Sequence, residues 1–294
     1  MNKISIILPN FNDEKYLLRA YGSAAIQRFD DSRVEIEIVI VDDCSNDNSR
    51  ELILRIAEKD KRVKYKFNDK NQGIARSIND GIALSSGNYI ARLDADDLCL
   101  ENRFNNQIKV LLRKKNTIAS CNSLVIDEFD NILSFRKNSF VLNRNINSPL
   151  KKRGNFVPHG SVIFHTSLID KVGVYKIGTR SEDYDLWLRA INSGFQFINV
   201  DVLGYAYRLR KSGISISNIN QQIKETNDLM VGTAGGLNGA NINRRTSIEL
   251  DGKLIDYSFN SMYYFLRSRL ARLYRSKLNK ILGEIDSYNK SMRL

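Results

Sequence analysis

Two runs of aspartate stand out: Asp42-Asp43 in IVIVDDCSND, and Asp94 with Asp96-Asp97 in YIARLDADD. Each follows an apolar, β-branched stretch of strand length. Carboxylates this close repel one another, so each run needs a cation or hydrogen-bond donors to be tolerable. At the exits of parallel strands, where open α/β sheets bind ligands, the expected guests are a divalent metal and a nucleotide. Asp96 would hold Mn2+ or Mg2+ through hard oxygen, neutralising charge on a departing diphosphate. Residues two apart on an extended strand share a face, so Asp94 and Asp96 point one way and Asp97 the other, which predicts a structural part for Asp97. The same run also reads as an acidic loop capping a helix that starts near Glu101.

Asp42-Asp43 has two readings. It is either a strand-to-helix loop capped by Ser45, or it supplies a carboxylate that accepts a nucleobase N–H. The turn Pro9-Asn10-Phe11-Asn12 ends the neighbouring strand and would place Phe11 against that base; Phe11 serves equally as a core anchor. A third acidic group, Glu182-Asp183 with Asp185, sits at the start of a helix, where the dipole favours negative charge. Capping explains it, and so does a general base at a pocket edge. Trp187 reads as the core anchor of that helix. His159 and His165 flank SVIF without a third partner for zinc or a serine triad. Arg208, Arg210 and Lys211, followed by Gly213 and Ser215, read either as a loop closing on phosphates or as a solvated basic turn.

Positioning these groups requires a particular alternation. Residues 4–8, 36–41, 63–67 and 88–93 read as strands. Helical patterns cover about 14–27, from the Ser45-Asn46-Asp47 cap to 59, and from the Asn71-Gln72-Gly73 turn to 86. Four strand–helix repeats at this spacing predict an α/β fold with a parallel, doubly wound sheet. Residues 117–164 read as shorter strands with an Asn-rich loop, and 184–193 as a helix. Beyond Ser212 the periodicity turns helical, interrupted by Gly232, Gly235, Gly236 and Gly239.

The chain has 294 residues, 42% of them apolar, within the globular range. No apolar run reaches the ~18 residues of a membrane span, and MNKISIILPNFND does not read as a signal peptide. Three cysteines without metal-ligand spacing read as reduced thiols, hence a cytoplasmic location. The formal charge of +12 raises nucleic acid as a partner, but its distribution argues against one. Residues 259–294 hold eight Lys/Arg against two Asp/Glu, half of the total charge. From Tyr263 to Ile281, the residues Tyr263, Leu266, Leu270, Leu273, Tyr274, Leu278 and Ile281 share a face, with Arg269, Arg272, Arg275 and Lys280 opposite. Such a helix over 259–282 suits an anionic membrane surface, and equally packing on the domain or pairing with a second copy as a homo-oligomer.

Together, ISIILPNFN, IVIVDDCSNDNS, NQGIARSINDGIALSSGNYIARLDADD, HGSVIF and SEDYDLWLRAINSGF resemble family 2 of the inverting glycosyltransferases over about residues 3–212. The resemblance implies a GT-A fold, Rossmann-like with a mostly parallel central sheet flanked by helices. The expected organisation is a catalytic domain over 1–215 (nucleotide-binding half 1–100, acceptor half 101–215) and a helical C-terminal extension over 216–294. It implies a nucleotide-sugar donor, UDP-linked, and a glycan or lipid-linked acceptor in bacterial surface polysaccharide synthesis, peripheral on the inner face of the plasma membrane. Carried over by position, Pro9 and Phe11 line the nucleobase pocket and Asp43 pairs with uracil. Asp94 lies near ribose and metal, Asp96 binds the metal, and Asp183 is the catalytic base. Three positions depart from the pattern. Leu100 replaces a frequent proline and His165 an expected arginine. Arg210 stands where Y-R-x-H has its histidine, so no metal or phosphate role carries over to it. A nucleotidyltransferase would be expected to carry a Gly-rich loop after the first strand, and PNFNDEKYL has no glycine. A non-catalytic nucleotide-sugar or membrane-binding module would not need both Asp96 and Asp183.

Overall fold

The computed structural model describes residues 1–136, 155, 157–210, 225, 228–229, 248–250, 253–255 and 269–294. The strands are β1 (Asn2–Asn10), β2 (Val34–Asp42), β3 (Val63–Phe67), β4 (Tyr89–Arg92), β5 (Leu98–Cys99), β6 (Thr117–Ile126), β7 (Ile132–Arg136), β8 (Ile163–His165) and β9 (Gln196–Arg208). Helices α1 (Glu14–Ala25), α2 (Ser49–Lys59) and α3 (Ile74–Leu84) alternate with the first four strands. Then come α4 (Arg103–Arg113), α5 (Ser167–Val172), α6 (Glu182–Asn192) and the C-terminal α7 (Arg269–Ser291).

One sheet runs β3-β2-β1-β4-β8-β6-β9-β5, with β7 beside β6. Its first four strands are parallel. Strand β8 enters antiparallel between β4 and β6, and β6 pairs parallel with β9. Alternation along the central strands builds two cores, as a two-residue side-chain period requires. Ile4, Ile6 and Leu8 of β1 and Ile36, Ile38 and Ile40 of β2 pack with Leu17, Tyr21, Ile53, Ile56 and Phe104 from α1, α2 and α4. Ile7, Val39 and Val41 pack on the other face with Ile78 of α3 and Leu186 and Trp187 of α6. The result is a three-layer α/β/α body in which β1, β2 and β4 end along one edge.

The expected strands and helices of residues 1–93 are present. Helix α6 begins at Glu182, two residues before its predicted start, so Glu182 and Asp183 lie inside its first turn. The extension is not wholly helical. Residues 248–250 and 253–255 form an antiparallel hairpin, while α7 supplies the helix. The Gly-rich stretch 232–239 and the segment 259–268 fall outside the described residues, as do Lys211, Gly213 and Ser215.

From Leu278 onward the apolar face of α7 lies on the domain. Leu278, Ile281 and Ile285 are buried in a third cluster with Leu98, Leu124, Ile126 and Ala206. Polar contacts fix the docking: Arg19 Nη2 to Asp286 Oδ2 at 3.2 Å, and Arg62 Nη2 to the Tyr288 hydroxyl at 3.0 Å. Gly22 of α1 permits the approach, because a Cβ there would stand 2.8 Å from both Ile285 Cγ2 and Asn289 Oδ1. Part of the face read as suited to a membrane is thus covered by the chain itself; Leu273 stays half exposed.

Candidate active site

The site is built at the shared edge of β1, β2 and β4. Past the β1–β4 pairing, which stops at Ile7, Pro9 sits where its missing N–H leaves no ladder bond unmade. It is buried at the strand end. Phe11, the next residue but one, is 45% exposed. An exposed aromatic ring at a strand exit is no core anchor, which removes that reading. The turn around it is tied to the neighbouring loop: Ser45 Oγ accepts from Asn12 N at 2.9 Å, and Asn12 Oδ1 accepts from Asn46 N at 2.8 Å.

The two aspartates of the first run have different surroundings. Asp42 is wholly buried and accepts from Asn10 Nδ2 at 2.8 Å, from Ser45 N at 3.1 Å and from Arg50 Nε at 2.9 Å. Its work is structural, knotting β1, β2 and α2. Asp43 accepts from Asn68 Nδ2 at 2.9 Å, Gln72 N at 3.0 Å and Gly73 N at 2.7 Å. It fixes the turn into α3, where Gly73 has a φ of +86°, a left-handed conformation that favours glycine.

In the second run, Asp97 is buried and accepts from the Tyr205 hydroxyl and, at 2.6 Å, from Arg208 N. These contacts give Asp97 the structural part expected of it, although the run is a turn beyond the end of β4 rather than extended strand. Asp94 is partly exposed and pairs with Arg92 Nη2 at 2.5 Å. Arg92 is completely buried and also donates to Ile7 O at 2.7 Å, so the carboxylate stands on a rigid, charged post. Asp96 Oδ2 lies 2.7 Å from Arg210 Nε, and Arg210 Nη1 lies 2.5 Å from Asp13 Oδ1. Burial raises the Asp96 carboxyl, with Arg210 opposing. Burial and the Asp96 charge push Asp13 up to about 7.

Arg208 does not belong to a closing loop or a solvated turn. It is buried and donates to Asp96 O and Asp127 O, each at 2.7 Å, and pairs with Asp130 at 2.7 Å. His165 is peripheral, bonded to Ser167 Oγ at 2.9 Å. His159 is half-buried in an aromatic box with Tyr175 and Trp187, its Nε2 3.0 Å from the Tyr175 hydroxyl. Burial and the Arg92 charge hold its pKa well below the usual value, so it is neutral at pH 7. Trp187 is fully buried, the core anchor it was expected to be.

Asp183 is half-buried in the first turn of α6. Its carboxylate accepts from Asn155 Nδ2 at 2.6 Å and from its neighbour Tyr184 N at 2.7 Å. Burial pushes its pKa up to about 6 against those two bonds, and the Asp94 charge pushes the same way. Glu182 beside it rises to about 8 through burial and the Asp183 charge, with Asp94 contributing again. The field of Asp94 acting on both residues brings the second and third acidic groups to one site, although they lie nearly 90 residues apart in sequence.

Sequence reading missed three participants. Asn155 follows the Asn-rich stretch 143–153 and has no local signature. Asp13 reads as a turn residue, and its pairing with Arg210 spans 197 positions. Arg92 reads as an ordinary strand residue. The cavity of about 460 Å3 between α1 and α7, lined by Tyr16, Arg19, Asp130, Arg208 and Asp286 among others, includes none of the predicted site residues.

The donor set around Asp96 suits a hard divalent cation in chemistry, though not in number. Burial and the Asp96 charge raise Asp13, and burial and the Asp94 charge raise Asp96, with Arg210 opposing both, the mark of a site short of positive charge. No group of three or more His, Cys, Asp or Glu among the described residues is placed to hold an ion alone. A cation at Asp96 would complete its shell with water and, once a phosphate-bearing ligand is bound, with its oxygens, the usual arrangement for Mg2+ sites.

The chain is similar to known proteins in family and fold. The family model described as glycosyl transferase family 2 matches residues 5–175. An Escherichia coli protein, UDP-Glc:alpha-D-GlcNAc-diphosphoundecaprenol beta-1,3-glucosyltransferase WfaP, is 27% identical over 233 residues, covering 78% of this chain and 86% of its own. The crystal structure of S. aureus TarS 1-349 in complex with UDP-GlcNAc superposes with a TM-score of 0.64 at 17% identity, covering 99% of this chain and 73% of that one. GalNAc-T7 with UDP, GalNAc and Mn2+ gives a TM-score of 0.57 at 16% identity over 72% of this chain and 45% of that one. These structural likenesses carry the GT-A fold. With the family model spanning more than half of the sequence, this chain is a glycosyltransferase and belongs to glycosyl transferase family 2.

Proposed function

We propose that the chain moves a sugar from a UDP-sugar to a hydroxyl of a glycan or lipid-linked acceptor, with inversion, by a single displacement. The observation that carries this is Asp183. It is a carboxylate at a helix start, close enough to Asp94 to feel its charge, with a pKa raised to about 6. At pH 7 it is ionised yet more basic than a free aspartate, the condition for a general base. Asp183 accepts the acceptor's hydroxyl proton while that oxygen bonds to the anomeric carbon. The bond from that carbon to the diphosphate oxygen breaks on the opposite face, and UDP leaves with the electron pair. No covalent enzyme intermediate is required.

Phe11 stacks on the base at the exit of β1, with Pro9 beneath the turn, and Asp43 meets the uracil ring N–H. Asp94, held by Arg92, faces the ribose. Asp96 would hold Mn2+ or Mg2+ together with diphosphate oxygens, and the ion would neutralise charge on the leaving group. The UDP in the TarS complex and the Mn2+ with GalNAc-T7 support this choice of donor and ion.

The lipid-linked acceptor named for WfaP supports a role in bacterial surface polysaccharide synthesis. No helix among the described residues is long and apolar enough to cross a membrane. Peripheral attachment to the inner face of the plasma membrane belongs to the same proposal. It would use exposed Arg272, Leu273, Arg275 and Lys277 rather than the buried face of α7. Catalytic residues 1–215 and an extension over 216–294 remain the proposed division.

The test is a panel of UDP-, GDP- and dTDP-sugars with Mn2+ and the purified protein, reading slow donor hydrolysis. Hydrolysis confined to a UDP-sugar, and sugar transfer to a supplied acceptor that is lost in Asp183→Asn, is the expected result. Transfer at the wild-type rate by Asp183→Asn rules out the base assignment.

A further inference from the structure

Arg210 is the position at which the sequence departs from the expected histidine, and the structure gives it a definite occupation. Its guanidinium spans two carboxylates, with Nη1 2.5 Å from Asp13 Oδ1 and Nε 2.7 Å from Asp96 Oδ2. Among the described residues no other cation lies within ion-pair distance of either carboxylate. The other charged groups nearby are engaged elsewhere: Arg92 with Asp94, Arg208 with Asp130, and Asp97 with Tyr205. The two contacts of Arg210 are unequal. Nε is buried and close to Asp96, yet its N–H is not aligned for a hydrogen bond. The Asp96 contact is therefore a pairing of charges without a directional bond, the weaker of the two to break. The guanidinium also rests over the Tyr16 ring, 5.4 Å from its centroid, a platform on which it can turn without losing its support.

We propose that Arg210 is an exchangeable counter-ion of the donor site. In the donor-free chain it neutralises Asp13 and Asp96. With a divalent cation held at Asp96, Arg210 Nε would give up that carboxylate and its guanidinium would turn onto a diphosphate oxygen of the donor. Guanidinium forks match carboxylate and phosphate oxygens alike, so the charge stays paired throughout. Two linked signatures follow. Metal and Arg210 compete for Asp96 in the absence of donor, whereas Arg210 and the diphosphate attract each other once the metal is in place. The second signature rests on the donor reading above; the first does not.

The experiment uses the full chain and two titrations. Mn2+ binding without donor is followed by electron paramagnetic resonance, and UDP binding at saturating Mn2+ by calorimetry. Arg210→Gln is expected to bind Mn2+ about tenfold more tightly than wild type and UDP about tenfold more weakly, a coupling of ordinary size. Arg210→Lys keeps the charge and loses the fork, so its Mn2+ affinity stays within about threefold of wild type. Thermal unfolding of the variants verifies that they fold, and Arg210→Met, which also removes the charge, carries the Mn2+ comparison with the same expected tenfold gain if the glutamine variant does not fold. Mn2+ affinity in Arg210→Gln equal to or weaker than wild type overturns the exchange. Unchanged UDP affinity at saturating Mn2+ overturns the transfer to diphosphate. Failure of wild type to bind UDP under any condition overturns the donor reading and the second signature together, while the Mn2+ titration still decides the first.

Discussion

Asn155 Nδ2 stands 2.6 Å from Asp183 Oδ2, and with the backbone N–H groups of Tyr184 and Asp183 itself it holds that carboxylate against the burial that would protonate it. Among the described residues, Asp94 at the exit of β4 acts on Asp183, while Asp183, Arg92 and Asp94 act on the neighbouring Glu182. Asp183 works as a base only when ionised, so kcat/KM should fall as pH drops through about 6. Removing a bond that favours the charged form raises the pKa further. Asn155→Ala should therefore move the acidic limb to higher pH and lower the rate at pH 6.5 more than at pH 8. An acidic limb that stays in place, measured as kcat/KM from pH 5 to 9, would show that Asn155 does not act through Asp183.

Glu182 gives a second pH effect, on stability. Its folded pKa of about 8 exceeds its ordinary 4.5, chiefly through burial and the Asp183 charge. The folded chain thus holds a proton that the unfolded chain releases over this interval. The stabilisation is fully present below about pH 4.5 and is lost as pH rises through about 8. Glu182→Gln has no charge to bury. Its melting temperature relative to wild type should be higher at pH 8.5 than at pH 5. A difference that is independent of pH would mean that Glu182 ionises as freely in the fold as outside it.

Much of this arrangement was legible beforehand because β1, β2 and β4 are buried on both faces. Such strands must be continuous apolar runs, and the acids follow where those runs stop. The backbone turns over Asp94–Asp97 after β4 ends at Arg92, so strand parity is not what sets Asp97 apart; its bonds to the Tyr205 hydroxyl and Arg208 N are. Strand β9 was missed because QFINVDVLGYAYR alternates poorly: Asn199 is buried in a polar pairing with Ser120, and Gly204 breaks the pattern. Amphipathicity in α7 announced a buried face, but a stripe of Leu and Ile does not say what covers it. Contacts such as Asn155–Asp183 and Asp13–Arg210 come from the folding of distant loops onto one edge, and no local spacing records them.

Phe11 is the donor-site residue whose exposure is least expected of a core side chain. Base–aromatic stacking is worth about 1–3 kcal/mol. Phe11→Ala should weaken UDP binding by that amount while the melting temperature changes little, because almost half of the ring is already in water. Phe11→Tyr should keep most of the affinity. Calorimetric titration with UDP decides the matter, and equal affinity for wild type and Phe11→Ala would remove the ring from the base site.

The docking of α7 on α1 gives the last prediction. Ile285 is fully buried against the face of α1 that carries Gly22, and truncating a buried isoleucine to alanine costs about 2–5 kcal/mol. Gly22→Leu acts from the other side, since even a Cβ at that position meets Ile285 and Asn289 at 2.8 Å. Both variants should release α7, shown as faster amide exchange over 278–291 and earlier proteolytic cleavage there. The released helix would also expose Leu278, Ile281 and Ile285 next to its basic residues. Binding to anionic vesicles should then rise in Gly22→Leu if the buried face is membrane-active, and stay constant if only the exposed basic face of α7 touches lipid. Amide exchange unchanged in both variants would mean that α7 is held by the Arg19–Asp286 and Arg62–Tyr288 contacts rather than by its apolar face.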